Sequence, residues 1–223
     1  MCRITWIWAV LFASVNLVGQ SISIDSNYFQ QKVNYKINVA LDIEQRHLNG
    51  DLEMWYFNQS PDVLHYMYVH LWPNAYANEN TAFAKESGYI NELSNDQKGY
   101  IKQLDFTANQ QSLILEYDTF MEERHIDIAK LYFPEPLKPG DSILIKTPFK
   151  VKIPHSVSRM GHHDGAFQIS QWYPKPAVYD QNGWHPMPYL DQGEFYSEFG
   201  NYEVNITLPE DYVVGATGDL QTF

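Results

Sequence analysis

Two stretches of the chain alternate apolar and polar residues with a period of two, which is the spacing of a β-strand with one buried face. In the first stretch the apolar positions are Tyr35, Ile37, Val39, Leu41 and Ile43. In the second they are Tyr202, Val204, Ile206 and Leu208. Pro209 ends the second pattern because proline has no N–H group to donate. We therefore predict a strand with one solvated face at 35–43 and a half-buried strand at 202–208.

Short apolar runs separated by Gly, Pro and Asn lie between these two stretches. Asn49-Gly50 predicts a hairpin turn, after which residues 52–58 return as the partner of the first strand. Further strands are predicted at 63–72, 101–106, 112–117, 126–133 and 142–151. The turn residues between them are Asn109 in one turn and Pro134, Pro136, Pro139 and Gly140 in another. A polar excursion at 78–98 interrupts the strands, with a helix possible around 81–86.

Many short strands with hardly any helical periodicity predict an all-β fold. We expect a β-sandwich, or curved, saddle-like sheets of mainly antiparallel strands, with the short helical excursion as the exception. A length of 223 residues suits one large β domain or two small ones. No internal repeat or interdomain linker is visible, and the hydrophobic fraction of 44% indicates a folded protein rather than a disordered one.

The first twenty residues have the pattern of a secretory signal peptide. Arg3 supplies a basic start, and residues 4–15 form an apolar run that is too short for a stable membrane span. The folded domain then covers residues 25–223, and we expect a secreted, periplasmic or cell-surface location. The single cysteine, Cys2, lies in this leader, so a mature chain would have neither a disulfide nor a thiolate zinc site.

Charge and histidine spacing narrow the function classes further. The net charge of -12 argues against a nucleic-acid partner, since phosphate binding relies on Lys and Arg. No H-E-x-x-H sequence occurs, although eight histidines are present. His65 and His70 are five apart in a predicted strand and so point to opposite faces. We predict that His162-His163-Asp164, between two glycines, is a solvated turn rather than a metal site.

No catalytic residue is predicted in the chain. Asp191 and Glu194 lie around Gly193 in a turn-rich segment, and paired carboxylates there would suit glycoside hydrolysis. Acids that flank a glycine are usually turn formers, which is the interpretation we favour. The serines lack a nucleophile-elbow context.

The segment 168–199 is unusually rich in large rings, which need apolar neighbours or a ligand. Its main rings are Trp172, Tyr173, Tyr179, Trp184 and Tyr189. Such a set could stack on sugars, so one hypothesis is a secreted carbohydrate-binding or adhesive β-sandwich module. A purely structural interaction domain, with the rings buried against a partner, is a further alternative.

Two stretches also carry a family resemblance. One runs from Ser170-Gln171 through the aromatic segment to Tyr202–Pro209 and on to Val214-Gly215-Ala216-Thr217-Gly218; the other is His70-Leu71-Trp72-Pro73-Asn74-Ala75-Tyr76. Together they resemble the N-terminal β domain of aminopeptidase-N-type zinc metallopeptidases, peptidase family M1, and especially its secreted bacterial members. The similarity covers most of the chain from about Tyr35 onward.

The resemblance implies a substrate-binding role for Gln171 and Tyr173. In the family, a T-Q-x-Q or T-Q-x-E segment lines the substrate pocket, and its second polar residue holds the free amine of the peptide. Gln171 matches the first of these positions, whereas Tyr173 stands at the second and supplies neither a carboxylate nor an amide oxygen. The P-C-x-D-E-P sequence of the family is absent, with Asp180 as a loose counterpart.

The family's G-x-M-E-N strand and its H-E-x-x-H helix do not occur in this sequence. The resemblance therefore implies a non-catalytic N-terminal domain that caps the catalytic domain of the same polypeptide and lines the peptide-binding cleft. Zinc is expected in that catalytic domain and no cofactor in this chain, which should be inactive alone. The partners implied are the N-terminus of a peptide substrate and the catalytic domain.

Overall fold

The computed structural model describes residues 28–118 and 125–221, so the predicted signal peptide lies outside the described residues. Fifteen strands account for most of the regular structure in the described ranges, which confirms the all-β prediction. In chain order they are β1 (Lys32–Asp42), β2 (His47–Phe57), β3 (Leu64–His70), β4 (Tyr100–Lys102), β5 (Thr107–Ala108), β6 (Gln111–Ser112), β7 (Leu115–Asp118), β8 (His125–Leu137), β9 (Ser142–Lys152), β10 (Gly161–His163), β11 (Ala166–Gln168), β12 (Lys175–Pro176), β13 (Val178–Asp180), β14 (Gly183–His185) and β15 (Gly200–Thr207).

The strands form two large sheets and two small hairpins. The first sheet has the order β15-β1-β2-β9-β5-β6, with β4 also paired to β9, and the second has the order β12-β3-β8-β7. Hairpins β10-β11 and β13-β14 stand apart from both. The pairing of β15 with β1 is parallel, while the other ladders are antiparallel. The prediction of mainly antiparallel strands is therefore confirmed.

Alternate side chains of both large sheets meet in one hydrophobic core. The largest fully buried side chains of this core are Trp72, Tyr56, Tyr76, Tyr189, Phe83, Phe149, Ile37 and Leu52. They come from β1, β2 and β9 of the first sheet, from residues 72–83 after β3, and from the segment 168–199. The second sheet adds Met67 and Val69 of β3 and Leu131 of β8 to the same cluster. Because both sheets contribute to one cluster, the described residues behave as one packed unit rather than two small domains.

The helical excursion was predicted correctly. Helix α1 (Ala82–Ser87) begins after Thr81, whose hydroxyl accepts a hydrogen bond from the backbone N–H of Ala84 at 3.2 Å. It ends at Gly88, which adopts a φ of 73° in the left-handed region that glycine favours. Two short 3₁₀-helices, Trp72–Tyr76 and Tyr89–Glu92, flank it.

The predicted turn at Asn49-Gly50 is wrong. Both residues lie inside β2, opposite Ala40 and Val39, and the actual turn spans residues 43–46. A Cβ atom on Gly50 would lie only 2.4 Å from the ring of Phe149. Glycine at this position therefore allows a ring from the neighbouring strand β9 to pack on its backbone. The Asn-Gly pair looks like a turn signal in the sequence, but its glycine serves packing.

The predicted turn at 134–140 is only partly correct. Pro134 and Pro136 lie inside β8, where the prediction of a turn is wrong, whereas Gly140 does lie in a turn with a φ of 83°. The register between β3 and β8 shifts at this end of the strand, between Leu64 and Tyr66. Ladder hydrogen bonds are interrupted at such an irregularity, so residues without an N–H are tolerated there.

Strand β15 forms where the pattern predicts a strand, but its apolar face is not half-buried. Tyr202, Val204 and Ile206 are 49%, 39% and 38% exposed. The strand occupies the edge of the first sheet and pairs with β1 on one side only. Among the described residues, no element covers its apolar face fully, which is why the burial prediction fails.

Candidate functional site

The aromatic segment 168–199 is fixed to the core by hydrogen bonds from its backbone. The indole N–H of Trp72 donates to the carbonyl oxygen of Met187 at 3.0 Å, and the Met187 N–H donates to His70 Nε2 at 3.2 Å. The N–H of Tyr189 donates to Asp127 Oδ2 at 2.7 Å. Burial lowers the pKa of His70 to about 3 and raises that of Asp127 to about 6. His70 is therefore neutral at pH 7 and accepts this bond with an uncharged ring.

Strand β12 holds the predicted substrate-binding turn against the second sheet. Lys175 pairs with His70, and Pro176 pairs with Val69, so the turn that precedes β12 lies beside Trp72. Gln171 is half-buried in this turn and has a φ of 54°. This left-handed conformation is uncommon for a residue with a Cβ atom, and such residues are concentrated at functional sites.

Lys175 determines which atoms of Gln171 are available to a ligand. The ammonium group of Lys175 donates to Oε1 of Gln171 and lies 4.6 Å from the ring centroid of Trp72. Lys175 is only 7% exposed, and burial lowers its pKa to about 7. The amide oxygen of Gln171 is thus engaged, while its NH₂ group has no partner among the residues that the structure describes.

Tyr173 lies two residues further on and points toward the exposed strand β15. Its hydroxyl donates to the hydroxyl of Tyr202 at 3.2 Å, and its ring meets Tyr35 edge-on with centroids 5.6 Å apart. Burial raises the pKa of Tyr173 well above its usual value, so the side chain stays protonated at neutral pH. The structure therefore brings Gln171 and Tyr173 together in one turn beside the edge of the first sheet.

The five rings of the proposed sugar-stacking set do not form one surface, so that part of the sequence prediction is wrong. Tyr189 is 1% exposed and its hydroxyl bonds to that of Tyr76, while Trp172 packs on Phe149. Core packing therefore takes up both rings. Tyr179 and Trp184, with centroids 4.9 Å apart, line an open cleft of about 520 Å³. Tyr66 and Tyr68 of β3 complete the aromatic part of its lining.

The prediction for His65 and His70 is confirmed, whereas the predicted turn at His162-His163-Asp164 is correct only at Asp164. His65 is exposed and His70 is buried, so they point to opposite faces of β3. His162 and His163 end β10, and Asp164 lies in the hairpin turn that follows. Within the described ranges 28–118 and 125–221, no group of three or more His, Cys, Asp or Glu side chains has the arrangement to hold a metal ion.

The acidic residues around Gly193 make ordinary turn contacts. Asp191 Oδ1 accepts a hydrogen bond from the hydroxyl of Ser158 at 3.2 Å, and the Asp191 N–H donates to Glu86 Oε2 at 2.7 Å. Glu194 is exposed. Asp180 Oδ1 is hydrogen-bonded to His185 Nε2 at 2.8 Å in the β13-β14 hairpin. These contacts support the turn-forming interpretation of Asp191.

Sequence reasoning missed two buried ionisable groups in the segment, Lys175 and Glu198. Both are 7% exposed, and burial raises the pKa of Glu198 to about 7. Neither belongs to a recognisable motif. The available signal was their position among rings and prolines, in the sequences Tyr173-Pro174-Lys175-Pro176 and Ser197-Glu198-Phe199.

Comparisons with known proteins give distant structural neighbours only. No family model and no curated protein matches the chain. An M1 zinc metallopeptidase from Deinococcus radiodurans is 14% identical over 88% of this chain and 36% of its own, with a TM-score of 0.46. A mutant of an M1 zinc metallopeptidase from the same organism, bound to a Tyr-Ser-Ala substrate, is 13% identical over the same shares, also with a TM-score of 0.46.

A two-domain M1 zinc metallopeptidase mutant bound to L-arginine is likewise 13% identical over 89% of this chain, with a TM-score of 0.46. The chain spans 36% of the length of that protein. None of the helices formed by the described residues is long and apolar enough to cross a membrane.

Proposed function

We propose that this chain is the non-catalytic N-terminal β domain of a secreted, zinc-dependent aminopeptidase-like metallopeptidase. In this role it caps the catalytic domain of the same polypeptide and lines the peptide-binding cleft. One observation supports the proposal most directly: the turn with Gln171 and Tyr173 adjoins the uncovered apolar strand β15 through the contact between Tyr173 and Tyr202. If the catalytic domain covers β15, the turn with Gln171 and Tyr173 lies at the border between the two domains. A peptide-binding cleft would form at that border.

The docking edge is defined by the exposed apolar side chains of β15 and the residues after it. Tyr202, Val204 and Ile206 are followed by Val213 and Val214, which are also exposed. An edge strand with exposed apolar residues is normally covered, since it otherwise pairs with other chains. We assign the catalytic domain as the partner that covers it.

The contacts around Gln171 suggest how the domain would bind a peptide. Because Lys175 occupies the amide oxygen of Gln171, the free NH₂ group is suited to donate to a backbone carbonyl of the substrate. The hydroxyl oxygen of Tyr173 retains a lone pair and would accept from the amine of the peptide N-terminus. In this proposal zinc and the hydrolytic step belong to the catalytic domain.

The test uses the native polypeptide that contains this domain. We expect hydrolysis of an aminoacyl-4-nitroanilide that is abolished by a zinc chelator. Gln171→Ala should raise KM by about tenfold with little change in kcat, since one hydrogen bond to the bound substrate is lost. Gln168→Ala, an exposed glutamine in β11, is the matched control and should leave KM unchanged.

Two results would contradict the proposal at different levels. Chelator-sensitive hydrolysis with an unchanged KM for Gln171→Ala would remove the substrate-binding role but keep the domain assignment. A native protein without any zinc-dependent peptidase activity would overturn the assignment itself.

A second candidate function rests on the open cleft lined by Tyr66, Tyr68, Tyr179 and Trp184. Exposed rings in a cleft can stack on sugar rings, so a carbohydrate-binding role is the alternative. Titration with oligosaccharides should then shift the tryptophan fluorescence of the protein, and Trp184→Ala should abolish the shift. An unchanged spectrum would rule out this role.

A further inference from the structure

A second pocket, of about 320 Å³, shares Tyr179 with the open cleft and combines aromatic rings with buried polar atoms. Three short stretches line it, at 28–30, 178–181 and 196–199. Its rings are those of Tyr28, Phe29, Tyr179, Tyr196 and Phe199. Its volume lies in the range of small-molecule sites, and none of the described residues that line it is Lys or Arg.

One carboxylate oxygen of Glu198 is a hydrogen-bond acceptor without a donor among the described residues. Its side chain is buried, and Oε1 has no hydrogen-bond partner among the described residues. Burial raises the pKa of this carboxyl, while the nearby backbone N–H of Tyr179 and the side chain of Gln30 act to lower it. The hydroxyl oxygen of Ser197, in the same lining, is likewise buried and unpartnered. Buried polar atoms are almost always paired, so the Glu198 oxygen is open to a hydrogen-bond donor, and the Ser197 hydroxyl can accept from a donor in the same pocket.

The other acid of the pocket is already engaged. Asp180 Oδ1 bonds to His185 Nε2 at 2.8 Å and accepts the N–H of Asn182 at the same distance. Its Oδ2 lies 3.5 Å from the hydroxyl of Tyr196. Asp180 therefore adds negative charge to the pocket but offers few free acceptor positions, which leaves Glu198 as the main contact for a cationic ligand.

We propose that this pocket binds a primary ammonium group, from a free alkylamine or a lysine side chain. Glu198 Oε1 and Ser197 Oγ accept its hydrogen bonds, and the surrounding aromatic rings stabilise its positive charge. Aromatic faces attract organic cations within about 6 Å of the ring centroid. An –NH₃⁺ group donates three hydrogen bonds, which satisfies both acceptors at once. This site is independent of Gln171 and of the proposed peptidase role.

Two other cations fit this lining less well. A quaternary ammonium has no N–H to donate and would leave both acceptors unpaired. A divalent metal ion such as calcium takes six to eight oxygen ligands, and the described residues contain no group of three or more side chains arranged to hold a metal.

The direct test is calorimetric titration of the chain with n-butylammonium chloride at constant ionic strength and pH 8. We expect saturable binding that n-butanol, sodium chloride and tetramethylammonium chloride do not reproduce. Glu198→Gln should weaken the binding at least tenfold, because it replaces the charge with an amide of the same shape. Glu194→Gln, an exposed glutamate of the same segment, is the matched control and should bind as the wild type does.

The pH dependence of binding gives a second readout, because burial raises the pKa of Glu198 to about 7. Binding should weaken as pH falls from 8 to 6, since protonation removes the charge that the ammonium contacts. The other titratable groups around this carboxyl are Tyr28, Tyr179, Asp180, His185, Tyr196, Tyr35 and Tyr56. Glu198→Gln retains all of these groups, so loss of the pH dependence in that variant would assign it to the Glu198 carboxyl.

Several results would overturn the proposal. Equal binding of butanol would show an apolar pocket only, and equal binding of tetramethylammonium or sodium would show a general cation site. Unchanged affinity in Glu198→Gln would exclude Glu198 as the contact. If Glu198→Gln does not fold, Ser197→Ala serves instead and should weaken binding severalfold; unchanged affinity in that variant would contradict the assignment of the acceptors.

Discussion

Strands β1 and β15 lie side by side with the same alternating pattern, yet their apolar faces differ in exposure. Tyr35 pairs with Tyr202, Ile37 with Val204, and Val39 with Ile206. The three β1 side chains are at most 5% exposed, whereas the three β15 side chains are 38–49% exposed. Two adjacent strands with the same sequence pattern can therefore differ in how far their apolar faces are covered.

The difference shows that a period of two specifies a strand but not what covers it. The β1 side chains belong to the core that both large sheets share, whereas β15 lies outside that core. The Gln171 turn touches both strands, since the ring of Tyr173 contacts Tyr35 and Tyr202. The proposed cleft thus lies where the covered and uncovered parts of the sheet meet.

The largest expected contrast comes from truncating one apolar residue in each strand. Ile37→Ala should lower the free energy of unfolding by about 2–4 kcal/mol, because it leaves a cavity in the core. Val204→Ala, its neighbour in register, should change it by less than about 0.5 kcal/mol in the isolated chain. Urea unfolding measures both, and equal losses would show that β15 is covered after all.

Gly50 provides the next largest effect, within the covered part of the sheet. Gly50→Ala should destabilise the fold by about 1–3 kcal/mol, because the new Cβ would overlap the ring of Phe149 and the carbonyl oxygen of Asn38. Gly215→Ala is the matched control, since a Cβ there meets nothing within 4 Å. Thermal unfolding of both variants gives the comparison, and a neutral Gly50→Ala would refute the packing role of this glycine.

A smaller effect should appear in the pH dependence of stability. The folded-state pKa of Lys175 is lowered from 10.5 to about 7, so above pH 7 the unfolded chain binds more protons than the folded one. The contribution of this residue to the unfolding free energy should therefore rise by about 2 kcal/mol between pH 7 and pH 9. Lys175→Met should remove this rise in denaturant titrations, and an unaltered slope would mean that Lys175 is not titrating in this window.

The smallest effect on stability is expected from a charge on the uncovered face of β15. Ile206→Lys should change the unfolding free energy of the chain by less than about 0.5 kcal/mol, since the residue is partly exposed. It should nevertheless reduce self-association in sedimentation experiments, because it places a charge within the exposed apolar patch of β15. Thr207→Lys, on the opposite face, is the control and should associate as the wild type does.

Sequence patterns predicted those features that depend on nearby residues. The strand β1 and the helix after Thr81 follow from period and capping, and both form as expected. Gly50 was misassigned because the ring that requires it, Phe149, belongs to a strand far away in the sequence. The exposure of β15 could not be predicted, since alternation carries no information on what covers a face.

The candidate sites show the same limit. Gln171 was identified through a short motif, but the engagement of its amide oxygen depends on Lys175, whose burial comes from the pairing of β12 with β3. Glu198 was missed because its environment is assembled from three separate stretches of the chain. Contacts between residues that are far apart in the sequence depend on tertiary packing, and a local sequence pattern does not predict them.

The central claim, that β15 is a docking edge for a catalytic domain, is tested most directly by hydroxyl-radical footprinting of Tyr202 with Tyr35 as the internal reference. In the isolated chain Tyr202 should be oxidised much faster than the buried Tyr35. In the native polypeptide we predict that the Tyr202 rate falls toward that of Tyr35, because the partner domain covers the strand. Equal oxidation of Tyr202 in both forms would contradict the account.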